Sequence, residues 1–318
     1  MSILDEKRLL TKIATLYYTE KLKQTDIAKK LNLSQSFVSR SLARCIAEGI
    51  VKISIIPPAN TFLELEQQIQ KKYNLSQAIV VDISEEDDDL KIKTAIGSAA
   101  AYYLQVTLLP DTLVGISAWS GTIKAMLETL LPLNIKAKAV VQLLGGVGLN
   151  GNVQANFLTY ELADKLNCSA YLLPAQSFSR DGDVNYKEEL LNTPEVAKVQ
   201  ELFAQIDLAI VGIGMLEPSQ LLKNSGLFYD KDMLGLLAAK GAVGDICLHY
   251  FDQNGVPVLA QEDDPVLGMD LQLIKKCPRV IALAGGKEKV NAIKGALNGG
   301  YIDVLVIDKI AARQLLSD

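Results

Sequence analysis

Three short runs in this sequence have the composition of a small-molecule site. The first is "VGISAWSGT", Val114 to Thr122, an apolar run that closes on Trp119-Ser120-Gly121-Thr122 just ahead of a helical pattern. Two hydroxyls and the free N–H groups of a helix start suit a phosphate or a row of hydroxyls. Ordinary N-capping by Ser120 would explain the same residues. The second run, "AGGKEKVNAIKGAL", puts Lys287 and Lys289 directly after Gly285-Gly286 at another helix start. One lysine there can meet an anion as a point charge, and the other is expected at the surface. The third is Gly145-Gly146 with Gly148 close behind.

"GVGLNG", Gly146 to Gly151, has the form GxGxxG, but the dinucleotide reading also needs an acid about 20 residues on, at the end of the next strand. That strand ends "LLPAQ", and no GxxxxGK[ST] occurs anywhere. No nucleotide or other cofactor is therefore expected. The single histidine, His249, lies in "DICLHYFD", an alternating strand-like run, and reads as structural. One histidine removes most triads and His-rich metal sites. The four cysteines, Cys45, Cys168, Cys247 and Cys277, are far apart and form no CxxC. They read as small core hydrophobes, with no metal site expected. No catalytic residue is assigned, and Asp245 is the carboxylate expected in the pocket.

The charge is unevenly spread. Of 32 Lys/Arg and 37 Asp/Glu in 318 residues, the first 55 residues hold ten against five, a balance of +5. The remainder balances at −10. A basic head on an acidic body suits one end that meets a polyanion and a body that does not. The head reads as three helices. Leu9, Ile13, Leu16 and Tyr17 share one face of the first. Thr25 is the expected N-cap of the second, with Ile27, Ala28 and Leu31 inward. "LNL" is a turn, and Ser34 caps the third, with Val38, Leu42, Ile46 and Phe37 inward. Gly49 ends it and "IVKISII" reads as a short strand. Helix, tight turn, helix is the helix-turn-helix arrangement, whose second helix enters the major groove. Its outward face carries Gln35, Ser36, Ser39, Arg40 and Arg44. Gln and Arg can bond base edges, whereas Lys29, Lys30 and Lys23 suit phosphates. A helical docking module that meets no DNA remains the other reading of this head.

The acidic body must position the site runs. After Pro57-Pro58, "TFLELEQQIQKKYNL" carries Phe62, Leu65, Ile69 and Tyr73 as one apolar stripe, to be covered by the body or by a second copy. "SEEDDD" reads as a solvated loop before a helix. Then strands alternate with helices: "AIVVDI", "TLVGIS", "AKAVVQLL", "SAYLLPA", "LAIVGIG", "RVIALAGG" and "VLVIDK". Continuous Val/Ile-rich runs suit buried parallel strands, so the fold class is α/β. Helices are expected at Thr122–Leu131, Val153–Leu166 and Glu288–Leu297. The glycines fall after the strands, where open parallel sheets bind ligands. No apolar run approaches the roughly 18 residues that span a membrane, and the N-terminus lacks a signal-peptide core, so a cytoplasmic protein is expected.

As a set, "LYYTEKLKQTDIAKKLNLSQSFVSRSLARCIAEGIVKI", "PDTLVGISAWSGT", "VVQLLGGVG", "QANFLTYELA", "LAIVGIG", "AVGDICLHYFDQNG" and "VIALAGGKEKVNAIKGALNGGYIDVLVIDKIAARQLL" resemble the SorC/DeoR-type family of bacterial sugar-responsive transcriptional regulators. The resemblance implies a winged helix-turn-helix over residues 1–56 and an effector domain over 57–318, in which 57–75 is a linker and a helix available for oligomerisation. It implies that the effector domain resembles sugar-phosphate isomerases and deaminases. It implies operator DNA as partner, dimers or tetramers, and a sugar, sugar phosphate or polyol as effector. Carried over residue by residue, the pocket would include Trp119, Ser120, Gly121, Thr122, Gly145, Gly146, Gln154, Gly285, Asp245 for hydroxyls and Lys289 for an anion. Leu144 stands where several members carry a basic residue, which leaves a neutral effector open. An active sugar-phosphate isomerase with a DNA-binding head is the alternative.

Overall fold

The computed structural model describes residues 3–53, 58, 61–117, 119–146, 151–177, 184–218 and 231–317. The chain divides into two compact units, Met1–Ala59 and Asn60–Asp318.

In the first unit, α1 (Ile3–Ala14) runs on into a π-helical turn, Thr15–Thr19, followed by α2 (Gln24–Leu31) and α3 (Gln35–Ala47). Ile13, Leu16, Ile27, Ala28, Val38 and Leu42 form its core. Asn32 ends α2 in the left-handed region at φ 54°, a conformation that Asn tolerates. The Ser34 hydroxyl then caps α3, accepting the Phe37 N–H at 3.2 Å. Three expectations change. The cap position of α2 belongs to Lys23, which makes no side-chain bond, and Thr25 is exposed one residue inside the helix. Phe37 and Ile46 are exposed; Ser41 and Cys45 join Val38 and Leu42 inside. Spacings of three and four from Val38 reach 41, 42 and 45, so the buried stripe runs one position off the assumed one. Finally, Ile50–Ile53 form no strand, and Ser54–Ile56 lie outside the described residues.

The second unit opens with α4 (Leu63–Tyr73), β1 (Gln77–Val81), α5 (Asp89–Thr107) and β2 (Leu113–Ile116). There follow α6 (Gly121–Thr129), β3 (Ala139–Gln142), α7 (Gly151–Lys165), β4 (Ser169–Tyr171), α8 (Val184–Leu191) and α9 (Pro194–Phe203). Next come β5 (Leu208–Gly212), β6 (Gly214–Met215), α10 (Lys231–Ala239), β7 (Ala242–Ile246) and β8 (His249–Asp252). The unit closes with α11 (Leu271–Lys276), β9 (Val280–Leu283), α12 (Val290–Asn298), β10 (Val304–Asp308) and α13 (Lys309–Ser317). Seven strands form one parallel sheet in the order β1-β10-β9-β5-β2-β3-β4. Their continuous apolar runs are explained by burial on both faces. Val114 and Ile116 of β2 enter one core with Leu104 of α5, Met126 of α6 and Leu162 of α7. Leu113 enters the other core with Ile69 of α4, Phe203 of α9, Ile293 of α12 and Leu315 of α13.

The α4 stripe packs on its own body. Ile69 is fully buried, and Phe62, Leu65 and Tyr73 pack on the same core. The Tyr73 hydroxyl and the Lys72 ammonium both donate to the Leu315 carbonyl, at 3.1 and 2.7 Å. The body thus covers this stripe in part: Ile69 is buried, while Phe62, Leu65 and Tyr73 keep some exposure. "DICLHYFD" is two strands rather than one. β6, β7 and β8 make a separate antiparallel sheet, and Cys247 and Leu248 turn between β7 and β8 at φ 52° and 65°. Such a two-residue turn usually takes Asn-Gly, which is why the sequence hides it.

Candidate functional site

In the parallel sheet, β2 connects outward through α6 to β3, whereas β5, its other neighbour, belongs to the half that continues to β9 and β10. The carboxyl ends of β2 and β5 thus flank the point where strand order reverses, the usual place for a ligand crevice in open α/β sheets. The runs singled out in the sequence meet there. Ser120, after β2, lies against Gly212 at the end of β5: a Cβ on Gly212 would fall 2.8 Å from Ser120 Oγ. That hydroxyl accepts the Ile123 N–H at 3.3 Å, so Ser120 does cap α6. Gly121 and Thr122 supply the open amides of the first helical turn; the Thr122 side chain is buried. A neighbour not foreseen from sequence occupies the space beside Gly121. Lys93 of α5 lies 3.4 Å from where a Gly121 Cβ would be.

Gly214 makes room for Asp245 on β7, whose Oδ1 would sit 1.9 Å from a Gly214 Cβ. Asp245 is buried and accepts the Leu248 N–H at 3.0 Å. Burial pushes its carboxyl up to about 6, opposed by the Leu248 amide and by the charges of Lys289 and His249. Lys289 reaches the same place. Its ammonium donates to the Ile213 carbonyl at 2.9 Å. Burial first, and then the charge of Lys93, lower its pKa, while Asp245 opposes the change. Lys287 is exposed and is the surface member of the pair.

Two glycine turns are engaged by the protein itself. The Gly145 carbonyl accepts from the Trp119 indole at 3.2 Å and from the Ser177 hydroxyl at 2.9 Å. Gly146 exchanges backbone bonds with Ala175 and Ser177 at 3.2 and 2.8 Å. Leu144, which bridges to Gly268, is buried in the core. The Gly285-Gly286 turn is locked by Asp308, missed in the sequence reading. Its Oδ2 accepts the Gly286 N–H at 2.6 Å and its Oδ1 those of Ile310 and Ala311 at 2.9 Å. An acid between a strand and a helix, as in "VLVIDK", is the cap signal that could have revealed it. Gln154 is in the first turn of α7; its side chain, like residues 147–150, lies outside the described residues.

His249 pairs with Ile246 across the hairpin, which puts it on the face opposite Asp245. Its Nδ1 bonds Asp264 Oδ2 at 2.7 Å, and its Nε2 has no partner among the described residues. Burial would raise the Asp264 carboxyl, but His249, the Val266 amide and Lys187 outweigh it and hold it low. Among the described residues, no group of three or more His, Cys, Asp or Glu could hold a metal ion. None of their helices is long and apolar enough to cross a membrane.

On the first unit, Gln35, Ser36, Ser39 and Arg40 are exposed along α3, and Lys29 along α2. Arg40 Nε donates to the Ser36 carbonyl of its own helix at 3.3 Å. Arg44 differs. Its guanidinium is bound to Glu6 at 2.7 Å and to Glu48 at 2.6 Å. Those hydrogen bonds raise its pKa, and Arg44 in turn lowers that of Glu6.

Residues 58–317 match the family described as "Putative sugar-binding domain". The chain belongs to this family, within the SorC/DeoR-type transcriptional regulators. The regulator is 31% identical to the deoxyribonucleoside regulator of Bacillus subtilis (strain 168), over 99% of both chains. It is 30% identical to the sorbitol operon regulator of Klebsiella pneumoniae, over 98% of both. The crystal structure of that full-length sorbitol operon regulator, SorC, superposes with a TM-score of 0.73 at 27% identity, covering 97% of this chain and 98% of that one. A structure described as "Putative sugar-binding domain of transcriptional regulator DeoR" from Pseudomonas syringae pv. tomato is 46% identical, with a TM-score of 0.64, over 80% of this chain and 98% of that one. These relatives are named as regulators of transcription, not as enzymes.

Proposed function

We propose that the regulator controls a carbohydrate- or nucleoside-utilisation operon, and that a sugar, sugar phosphate or polyol in the β2/β5 crevice alters its grip on operator DNA. The observation that carries this reading is the meeting of Ser120, Gly212, Asp245 and Lys289 at the strand-order reversal. Asp245 accepts effector hydroxyls, and Lys289 and the α6 amides take the opposite end of the molecule. Trp119, Thr122, Gly145, Gly146 and Gly285 hold these groups in place, with Gln154 as a further contact from α7. On the first unit (1–56), Gln35, Ser36, Ser39 and Arg40 read bases, and Lys29, Thr25 and Ser34 meet phosphates. Arg44 acts there by bracing α3 against Glu6 and Glu48. Residues 57–318 form the effector domain.

Related half-sites call for paired heads, so the active form is a homodimer or homotetramer in the cytoplasm. Besides the partly covered α4 stripe, the exposed Tyr102, Val106 and Leu109 on and after α5 are apolar residues available to contact a second copy. The deciding experiment is a gel shift on DNA upstream of the regulator's own operon, with and without pentoses, hexoses, hexitols and their phosphates. Release or tightening by one of them is the expected result. Binding indifferent to all of them, or turnover of any, would overturn the reading.

A further inference from the structure

We propose that the flank of α1 turned away from α3 is a second DNA-holding surface, a groove that takes phosphates of the duplex flanking the bases read by α3. The inference rests on the reading of the first unit as DNA-binding. The groove has a volume of about 770 Å³. Lys7, Arg8 and Lys12 of α1 and Lys30 of α2 line it, with Leu16 in its wall and Glu20 as its acid. Its side relative to α3 follows from the helix period. Leu10 and Ala14 form a core with Cys45 of α3, whose thiol donates to the Leu10 carbonyl at 3.3 Å. With 3.6 residues per turn, Arg8 and Lys12 come out nearly opposite Leu10 and Ala14 on α1. Base reading by Gln35 and Arg40 of α3 therefore leaves this flank unused.

The lining is charged without being neutralised. Lys7, Arg8 and Lys12 are exposed, and none of them is ion-paired among the described residues. Glu6 and Glu48, two of the acids of this unit, are taken by Arg44. Glu20 stands 3.9 Å from Lys30. Arg8 and Lys12, four apart on one helix, repel each other. The groove offers little besides charge, because the Thr11 and Thr15 hydroxyls donate to the Lys7 and Thr11 carbonyls, at 2.9 and 3.0 Å. Its end is built by the π-helical turn Thr15–Thr19, where the Glu20 N–H reaches back to the Thr15 carbonyl at 3.0 Å. Such turns are rare and recur at functional sites. Point charges without other donors hold a phosphate backbone whatever its sequence. A polyanion turns the mutual repulsion of the cations into attraction, and releases counterions of its own. DNA is the polyanion that suits a unit with ten Lys/Arg against five Asp/Glu in the first 55 residues.

The test uses the full chain and DNA upstream of the regulator's own operon. Hydroxyl-radical footprints are taken on a fragment that extends about 10 base pairs, one helical turn, beyond the protected bases at each end. Wild type protects backbone outward of the bases whose methylation blocks binding. Lys12→Gln, alone and with Arg8→Gln, loses that outer protection and keeps the inner one. Lys12→Arg keeps both, and Arg40→Ala weakens the inner one. Each lost contact takes about 0.9 from the slope of log K against log salt on the long fragment, and nothing on a fragment trimmed to the inner bases. These positions are exposed and Gln is a good helix former, so the variants fold. A wild-type footprint that stops at the inner bases overturns the inference. So does a Lys12→Gln chain whose outer protection and salt slope are unchanged, or which loses inner and outer protection equally. A change of oligomeric mass with an unchanged footprint also overturns it, and makes the partner an acidic protein surface. If Arg40→Ala still weakens binding in these cases, the DNA-binding reading survives. If the wild type protects no DNA at all, both fall.

Discussion

Trp119 donates its indole N–H to the carbonyl of Gly145 at 3.2 Å, fastening the end of β2 to the end of β3. The same oxygen also accepts from Ser177, so it keeps one partner when the indole is removed. Trp119 is also buried in the core, so Trp119→Phe should cost about 1 kcal/mol for the hydrogen bond and about 1–2 kcal/mol more for lost packing. Urea unfolding followed by circular dichroism measures it. A loss below about 0.5 kcal/mol would mean that the bond contributes nothing.

Gly214 and Gly121 should respond differently to alanine. A Cβ at 214 collides with Asp245 Oδ1, whereas one at 121 meets only the Lys93 side chain at 3.4 to 3.5 Å. Gly214→Ala must displace a buried carboxylate, so effector response should vanish together with some stability. Gly121→Ala should melt like the wild type. Calorimetric titration and thermal melts on the two full-length variants separate these outcomes.

Asp245 makes stability depend on pH in a defined direction. Its folded pKa, about 6, lies above the ordinary 3.8, so the folded state holds the extra proton between those values. Stability from this group is present below about pH 4 and lost as pH rises to about 6. The gap corresponds to about 3 kcal/mol at about 1.4 kcal/mol per pH unit. Asp245→Asn should flatten that part of the profile and raise stability at pH 7. Effector hydroxyls favour the ionised form, so affinity for a neutral polyol should rise from pH 5 to 7. Lys289 and His249 are the charged groups that oppose the effect of burial, and the Asp245→Asn variant, which keeps both, isolates the carboxylate's share of the pH dependence. Titrations at matched ionic strength that gave constant affinity would remove Asp245 from the contact set.

Three basic residues of the first unit should fall into three classes. Arg40→Ala, at an exposed α3 position, should cost about 1–3 kcal/mol on operator and relax sequence preference. Lys29→Ala should weaken specific and random DNA alike and reduce the salt dependence. Arg44→Ala should leave preference intact, since its guanidinium is engaged by Glu6 and Glu48; its effect should be a modest loss of thermal stability. Salt-dependent anisotropy with both DNAs distinguishes all three.

Much of the body was legible because buried parallel strands write themselves as apolar runs such as "VLVID", and because glycines mark where those runs end. The strand order was not, since the pairings of β10 with β1 and of β5 with β2 depend on residues remote in sequence. The Cys247-Leu248 turn carried no glycine or asparagine to announce it. Lys93 follows an acidic run and carries no sequence signal of its own; only the fold brings it to Gly121. On α3, Phe37 and Ile46 satisfied an apolar count but not the angle that Val38, Leu42 and Cys45 set. The Gly145 and Gly285 turns were recognised as turns, while the partners that occupy them, Ser177 and Asp308, belong to other strand ends.

The pairing of β1 with β10 has a consequence for the order of events at the ribosome. Ser76, just before β1, donates its hydroxyl to the Asp303 carbonyl across 227 residues of chain. At about 5–20 residues per second, translation needs on the order of 10 to 45 seconds to supply that partner. The first unit needs nothing so distant, because its core joins residues 13 to 42. A nascent chain should therefore possess a finished first unit while the edge strand of its second unit is still unpaired. The second unit can close only once residues 304–308 have left the ribosome.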